Sequence, residues 1–221
     1  MRIIKPYFEI LNPQPADWPE MAKRIERAGR TCYKSEDRIT EDSCGPFIRK
    51  IIERGHESVL EHESVSVRIV CDRGVTHELV RHRLASYSQE STRYCNYGNG
   101  ITVIEPCFWE RESQEYNLWR LACKHAEYFY IALLKRGVTP QDARSVLPNS
   151  LKTEIVMSCN LREWRHVFRL RTSKAAHPQM REIAVPMFIA FRDLLPGLFF
   201  DIEVPDEDKF KNADRSEKIS A

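Results

Sequence analysis

The chain of 221 residues carries 34 Lys and Arg against 32 Asp and Glu, a net charge of +2. Because this balance gives the chain no field that would recruit nucleic acid, any basic site has to be local. The length suits one sizeable domain, no stretch approaches the roughly 18 consecutive apolar residues of a membrane span, and the opening residues do not resemble a secretory signal. We therefore expect a cytoplasmic protein.

Cysteine and glycine usage argues against several kinds of site. The seven cysteines are scattered and include no C-x-x-C pair, which disfavours both a disulfide framework and a zinc site. A single catalytic cysteine stays open, since its histidine partner would be near in space and not in the chain. Neither glycine-rich phosphate motif, G-x-G-x-x-G or G-x-x-x-x-G-K-[ST], occurs.

The first half of the chain predicts alternating strands and helices. A mostly apolar stretch predicts a strand over 3–11, and apolar spacing predicts helices over 17–29 and 42–54, each stopped by a glycine. After a polar connector, alternating apolar and polar residues predict a strand over 64–71 with one buried face. Helical spacing returns over 75–84.

The second half predicts the longest helix of the chain. A short strand over 101–104 precedes this helix, which spans 116–133 and which we expect to bury a broad apolar stripe. A short helix over 139–147 and a strand over 153–159 follow.

Two further helices complete the predicted fold. Asn160, with Glu163 three residues later, is placed to cap a helix that reaches Arg171, and a last helix begins at His177 and runs to Leu194. We predict a single domain over 1–205 and a disordered polar tail over 206–221.

Two histidines in the connector suggest a metal site at first sight. His56 and His62 stand six residues apart, which matches neither H-E-x-x-H nor H-x-x-E-H and would place them on different sides of a helix. The sequence therefore predicts no metal. The stretch is then either a plain polar connector or a set of hydrogen-bonding groups at the mouth of a pocket.

The segment from Arg81 to Tyr94 concentrates polar chemistry. Three arginines, one histidine and six hydroxyl side chains share these positions. Guanidinium groups bind phosphate or carboxylate bidentately and hydroxyls complete the hydrogen bonding, so the segment predicts an anion-binding site. The alternative is a solvated, salt-bridged surface loop, with Glu78 and Arg81 paired along the preceding helix.

A second cationic cluster lies between Arg165 and Arg171, which hold three arginines and His166 between them. One interpretation is a helix that faces RNA or a membrane, but a nucleic-acid surface would normally bias the charge of the whole domain. Two separate clusters suggest two phosphorylated ligands, or one nucleotide together with a cofactor that carries a pyrophosphate.

The motif residues also resemble a known family. Arg81-His82-Arg83, then seven residues, then Ser91, resembles the signature R-H-R-x7-S of the flavin-dependent thymidylate synthases. Further matching blocks occur in the order of the family. They are Gly55-His56-Glu57-Ser58 with Glu61-His62, Ala143-Arg144 with Leu147-Pro148, and Asn160-x-Arg162 continuing to Leu170-Arg171 and His177.

The resemblance implies an α+β fold with a small mixed sheet and long packing helices, in a composite subunit that assembles as a homotetramer. It implies a methyltransferase that converts dUMP to dTMP in nucleotide biosynthesis. Methylenetetrahydrofolate would supply the carbon, NADPH would reduce the bound FAD, and the reduced FAD would supply the hydride. The active sites would lie where subunits meet, and no membrane or nucleic-acid partner is implied.

Carried over position by position, the resemblance also implies two sets of site residues. The expected flavin contacts are Ser58, Arg81, His82, Arg83, Gln89, Asn160, Leu161, Arg162 and His166. The expected nucleotide contacts are Glu78, Leu79, Val80, Arg81, Gln89, Glu90, Ser91, Thr92, Arg93, Arg144 and Arg171.

Physical chemistry supports this allocation. A guanidinium beside uracil would stabilise negative charge on N3 and O4, and Arg171 is our candidate catalytic residue for that role. Because hydride chemistry on a flavin needs no enzymic nucleophile, Ser91 is expected to bind ligand. Two hypotheses from other classes compete: a nucleic-acid-binding module that uses both basic clusters, and a metal-dependent hydrolase that uses His56, His62 and His82.

Overall fold

The computed structural model describes residues 1–207 and residue 210. Its fold is α+β, with small sheets and several helices, as the fold class predicts. None of the helices in the described part of the chain combines the length and the hydropathy of a membrane span. The predicted tail over 206–221 lies mostly outside the described residues, although Glu207 pairs with Arg192 through two hydrogen bonds of 2.7 and 2.8 Å.

Short strands form two sheets. They are β1 (Arg2–Ile4), β2 (Tyr7–Asn12), β3 (Ser64–Asp72), β4 (Ala85–Gln89), β5 (Thr102–Ile104) and β6 (Lys152–Asn160). The larger sheet has the order β2-β3-β6-β4, and β1 pairs with β5 in parallel. The predicted strands over 64–71 and 153–159 are confirmed as β3 and β6.

The helices follow the predicted order with different ends. They are α1 (Trp18–Tyr33), α2 (Cys44–Glu53), α3 (Arg73–Leu79), α4 (Gln114–Lys135), α5 (Pro140–Ala143), α6 (Leu161–Arg171), α7 (Pro178–Leu194) and α8 (Pro196–Phe199). The connector between α2 and β3 forms a 3₁₀ helix over Glu57–His62.

Three predicted boundaries are wrong for identifiable reasons. The opening strand is interrupted at Pro6, which has no N–H to donate to a ladder. The first helix continues past Gly29 and ends only at Lys34, whose φ of 47° is left-handed. The helix predicted over 75–84 ends at Leu79, and the motif that follows it contains a strand, β4.

Contacts within the chain group it into two compact units. Unit 1 comprises Met1–Phe8, Arg68–Arg81 and Tyr87–Met157. Unit 2 comprises Glu9–Val67, His82–Ser86 and Ser158–Ala221. The single domain predicted over 1–205 stays a prediction, and each unit is described in turn.

In unit 1 a small apolar core forms around Ile101, Val103, Cys123 and Leu151. The long helix α4 contributes fewer buried residues than its composition predicts. Its buried residues are Tyr116, Cys123 and Tyr130, which recur every seven residues and so form one narrow stripe. The predicted stripe residues Trp119, Ala126 and Leu133 are half-buried beside them, which confirms the predicted face, whereas other large apolar residues of α4 are exposed. They are Leu118, Leu121, Tyr128 and Phe129.

In unit 2 the core is an aromatic cluster. Trp164 stacks on Phe168 with centroids 5.5 Å apart, and Phe191 meets Trp18 edge-on at 5.3 Å and Phe168 at 5.1 Å. All four side chains are fully buried. Pairs with this geometry add about 0.5–1.5 kcal/mol each beyond the burial of their area. The cluster therefore anchors α6 to α1 and α7.

Gly29 allows a close approach inside unit 2. A Cβ at this position would lie 2.5 Å from Cζ of Phe47, and the Phe47 ring is held beneath the guanidinium of Arg30, 4.6 Å from the ring centroid. The residue therefore serves packing. A helical pattern alone cannot distinguish a glycine of this kind from one that stops a helix.

Replacing Gly29 with alanine is expected to lower the free energy of unfolding by about 1–2 kcal/mol. Overpacking typically removes about 1–3 kcal/mol, and the better helix propensity of alanine restores up to about 1 kcal/mol. Gly45→Ala in α2 is the matched control, because a Cβ there meets nothing within 4 Å. Urea unfolding should show the control unchanged or more stable, and equal losses in both variants would contradict the packing argument.

Candidate functional site

In unit 1 the second half of the motif is held by side chains from two other elements. Gln89, at the end of β4, donates through Nε2 to the hydroxyls of Thr76 at 3.0 Å and Thr153 at 3.2 Å. Both threonines are buried. Because the Gln89 amide contacts both α3 and β6, these two bonds hold the end of β4 in place.

Glu90 sits in a network of charged and hydroxyl groups. Its carboxylate accepts from the hydroxyl of Tyr97 at 2.8 Å and from Nζ of Lys152 at 3.0 Å. Lys152 also donates to Glu154. Burial opposes the charge of Lys152, but its bonds to Glu154 and Glu90 outweigh burial and raise its pKa. Burial and the bond to Glu90 raise the pKa of Tyr97, so Tyr97 stays a donor.

The hydroxyl residues of the motif also have defined partners. The hydroxyl of Thr92, which is buried, accepts from Nη1 of Arg144 at 3.3 Å. The hydroxyl of Ser91 accepts from the backbone N–H of Arg93 at 3.2 Å, a local turn that Ser favours. The structure thus brings Arg144 to the motif across more than fifty residues of sequence.

An open cavity of about 520 Å³ lies beside these residues in unit 1. Its walls carry cations, carboxylates and an amide, which suits a polar ligand. They are Arg68, Ser88, Gln89, Glu90, Lys152, Glu154 and Val156. Gln89 and Glu90 were predicted to contact nucleotide, whereas Lys152, Glu154 and Tyr97 were not predicted. No pattern in the sequence pointed to Tyr97. Lys152 and Glu154 stand two residues apart and therefore share one face of β6.

Four arginines of the predicted site keep their charge uncompensated. The guanidinium groups of Arg81, Arg83, Arg93 and Arg144 are exposed, and none forms an ion pair with a carboxylate of residues 1–207 or 210. Arg81 donates through Nε to the carbonyl of His77. Uncompensated guanidinium groups are what an anion-binding site requires.

The cationic cluster of α6, in unit 2, divides into two groups. Arg165 is fully buried, and it and Arg169 both donate to Asp201 at 2.8 Å. Glu57 accepts from both arginines as well. Asp201 and Glu57, two acids of unit 2, therefore neutralise these two arginines. The other members of the predicted cationic cluster of α6 are His166 and Arg171.

Three predicted flavin contacts, Asn160, Leu161 and Arg162, lie at the start of α6. The side chain of Asn160 accepts from the N–H of Glu163 at 2.9 Å, which is the expected cap. Arg162, the second residue of α6, is exposed and pairs with Glu61 at 2.5 Å. The side chain of Leu161 is fully buried, because the next face of the helix packs on the core.

His82 and Arg171 meet in unit 2 at the end of α6. Nε of Arg171 donates to Nε2 of His82 at 3.0 Å, and Nδ1 of His82 lies 3.3 Å from Oε1 of Glu163. The ring of His166 packs edge-on against His82 with centroids 5.5 Å apart. His82 is 4% exposed and Glu163 is 7% exposed. The structure therefore joins three predicted residues with one, Glu163, that was predicted only as a capping residue.

Burial controls the ionisation of this group. It lowers the pKa of His82 to about 4, with further contributions from the positive charge of Arg171 and from His166. Burial also raises the pKa of Glu163, against a smaller opposing effect of His166. His82 is consequently neutral near pH 7, which leaves one ring nitrogen free to accept the hydrogen bond of Arg171.

The same side chains could in principle hold a metal ion. One ligand atom each from His82, Glu163 and His166 lies within 4.8 Å of the others. The guanidinium of Arg171, however, occupies one nitrogen of His82, and its fixed positive charge repels a cation. The donor set fits an anionic ligand better than a metal.

The remaining predicted residues lie at the end of α3 and on the 3₁₀ helix before β3. Ser58 is exposed on the 3₁₀ helix before β3. Leu79 is buried, Val80 is 41% exposed and Glu78 is half-buried at the end of α3. For Leu79, as for Leu161, only backbone atoms are left to reach a ligand.

Comparison with known proteins identifies the family. The family model described as thymidylate synthase complementing protein matches residues 16–197. A flavin-dependent thymidylate synthase of Geobacter sulfurreducens is 36% identical over 194 residues, covering 83% of this chain and 82% of the relative. The chain belongs to the flavin-dependent thymidylate synthase family. A family member from Mycobacterium avium is 37% identical and covers 81% of this chain and 79% of its own.

Solved structures agree with the fold of the family. A UMP/dUMP methylase, PolB of Streptomyces cacaoi, bound with 5-Br UMP, superposes with a TM-score of 0.72 at 21% identity, covering 90% of this chain and 95% of that chain. The same methylase bound with 5-Br dUMP gives a TM-score of 0.70 at 25% identity, covering 90% and 96%. The chain is accordingly an enzyme of the flavin-dependent thymidylate synthase class.

Proposed function

We propose that the protein methylates dUMP to dTMP, with methylenetetrahydrofolate as the carbon donor, FAD as the bound cofactor and NADPH as its reductant. The observation that carries this proposal is the set of four arginines, Arg81, Arg83, Arg93 and Arg144, whose charge no carboxylate of the described residues neutralises. Membership of the family supplies the chemistry. The similar methylase bound with 5-Br dUMP supports the choice of nucleotide.

The nucleotide phosphate is assigned to unit 1. Arg144 is already oriented by its hydrogen bond to Thr92. Arg93, the residue after Thr92 in the motif, has an exposed guanidinium. A phosphate that accepted from both arginines would gain charge-assisted hydrogen bonds, and the hydroxyl of Ser91 would complete its shell. Ser91 thus binds the substrate and does not attack it.

The residues present fit FAD in the chemistry of their donors. A pyrophosphate needs cations and N–H groups, which the exposed Arg83 and Arg162 supply, and flavin ring edges need donors and acceptors such as His166 and the amide of Gln89. When bound, FAD supplies the hydride that the methyl transfer requires. We assign its contacts to Ser58, Arg81, His82, Arg83, Gln89, Asn160, Leu161, Arg162 and His166.

Arg171 is proposed to polarise the pyrimidine. Transfer of the carbon places it on C5 of uracil, and the C5 proton leaves. C5 becomes more nucleophilic as negative charge grows on N3 and O4, and a fixed guanidinium stabilises that charge. Arg171 is half-buried, and its hydrogen bond to His82 fixes the position of its Nε.

No cysteine is assigned a catalytic role. Burial raises the pKa of Cys123 to about 11 and raises those of Cys71 and Cys159 further, so none of these three is a thiolate near pH 7. Cys32 and Cys107 are exposed. Replacing each of the seven cysteines singly with serine is expected to preserve turnover. Loss of turnover in one well-folded variant that still binds dUMP would contradict this.

The assembly is proposed to be a cytoplasmic homotetramer with active sites between subunits. Apolar side chains flank the motif without cover from the described residues: Val80, Leu84 and Tyr94 are 41%, 75% and 80% exposed. A second subunit would bury such a surface.

Purified protein tests the proposal directly. We expect the visible absorbance of a flavin, or uptake of added FAD by the colourless protein, and formation of dTMP only when dUMP, methylenetetrahydrofolate and NADPH are all present. Light scattering should give a mass of four chains. A protein that stays colourless after addition of FAD and forms no dTMP would overturn the proposed function.

A further inference from the structure

The hydrogen bonds around His82 define a single arrangement of protons. A guanidinium can only donate, so Nε2 of His82 must accept from Nε of Arg171. A neutral imidazole that accepts at Nε2 carries its proton on Nδ1. That nitrogen lies 3.3 Å from Oε1 of Glu163, which can therefore only accept.

Glu163 carries a carboxylate within hydrogen-bonding distance of Nδ1 and can select this tautomer. It is 7% exposed and rises from the first turn of α6, where Asn160 caps its N–H. His166, whose ring packs edge-on against His82, supplies no carboxylate. If the proton moved to Nε2, two donors would face each other and Arg171 would lose its bond.

From this geometry we propose that Glu163 is a positioning residue for Arg171, acting through His82. The carboxylate accepts the Nδ1 proton of His82, and the imidazole then holds Nε of Arg171 by its free Nε2 electron pair. Because all three groups lie on unit 2, the chain Glu163–His82–Arg171 needs no other part of the molecule. The proposal rests on the proposed function only for the catalytic role of Arg171.

Glu163→Gln tests the proposal with little change of shape. Glutamine lacks the negative charge that favours a proton on Nδ1, and its amide can either accept from that nitrogen or donate to it, so the tautomer protonated at Nε2 becomes accessible. We expect nitrogen NMR of the histidine side chains to show a larger fraction of His82 protonated at Nε2 in the unliganded variant than in the wild type. In turnover assays kcat should fall roughly 10–100-fold, the usual effect of a lost orienting partner, while KM for dUMP and the flavin content change little.

Two further variants make the result decisive. Glu163→Asp keeps a carboxylate and should retain the wild-type tautomer with part of the lost kcat. Glu53→Gln is the control, an exposed acid of α2 that pairs with Arg49, and it should behave as wild type. If Glu163→Gln does not fold, the tautomer of His82 measured in the wild type and in Glu163→Asp still tests the proposal, which requires the proton on Nδ1 in both proteins.

The outcomes separate this proposal from the proposed function. A wild-type His82 protonated at Nε2, or a Glu163→Gln variant with unchanged tautomer and kcat, would overturn the positioning role. If the wild type forms no dTMP, the proposed function fails, while the NMR comparison still establishes or refutes the control of His82 by Glu163.

Discussion

Replacing Arg171 with alanine is expected to lower dTMP formation by about 10²–10³-fold, the effect of removing one donor that stabilises charge in a transition state. The bond from Arg171 to His82 holds its Nε, so the side chain is already oriented before substrate binds. Flavin content should change little, because Arg171 is assigned to the pyrimidine. The measurement is kcat beside the visible absorbance of each purified variant.

Arg171→Lys separates charge from geometry. Lysine keeps the positive charge but lacks the planar fork and the Nε donor, so we expect it to recover only a small part of the lost rate. Arg169→Ala is the matched control on the same helix, since Arg169 pairs with Asp201 and Glu57 at the surface. Wild-type turnover in Arg171→Ala would remove this arginine from the catalytic step.

Replacing Arg165 with methionine is expected to lower the free energy of unfolding by about 3–5 kcal/mol, the range for breaking a buried ion pair from one side. Arg165 is fully buried and donates to Asp201, to Glu57 and to the carbonyl of Leu198. Its loss removes the donor to the Leu198 carbonyl and leaves Asp201 and Glu57 paired with Arg169. Arg169→Met is the control and should lose no more than about 1 kcal/mol, because that pair is partly exposed.

The free energy of unfolding, measured as pH is lowered, gives a second test of the role of Arg165. Burial alone would raise the pKa of Asp201, but the bonds from Arg165 and Arg169 outweigh it and hold the pKa below its ordinary value. The contribution of this pair is therefore present above the unfolded pKa of aspartate and is lost as pH falls through the lowered folded value. Wild type and Arg165→Met should converge at acid pH, and a constant difference would contradict the assignment.

The sequence predicted the elements whose pattern is local. β3 and β6 alternate buried and half-buried residues, and Gly55, with φ of 71°, ends α2 as expected. Asn160 caps α6 through a single bond three residues ahead. In each case the physical cause lies within a few residues of the element that it sets.

The parts that were missed depend on partners distant in the chain. β4 alternates half-buried and exposed residues, but none of its residues is fully buried, and its pairing with β6 completes it as a strand. Arg165 and Arg171 look equivalent in sequence, yet one is neutralised by Asp201 and the other donates to His82. Glu163 matched the pattern of a helix start, and that local role concealed its contact with a histidine 81 positions earlier.

The exposed thiols offer a practical use of the same structure. Cys107 lies in unit 1 and Cys32 in unit 2, and both are exposed, whereas Cys71, Cys123 and Cys159 are buried. Thiol-directed dyes should therefore react at these two positions before the buried ones. A dye attached at one of these positions would therefore report on the surroundings of its own unit when ligand is added.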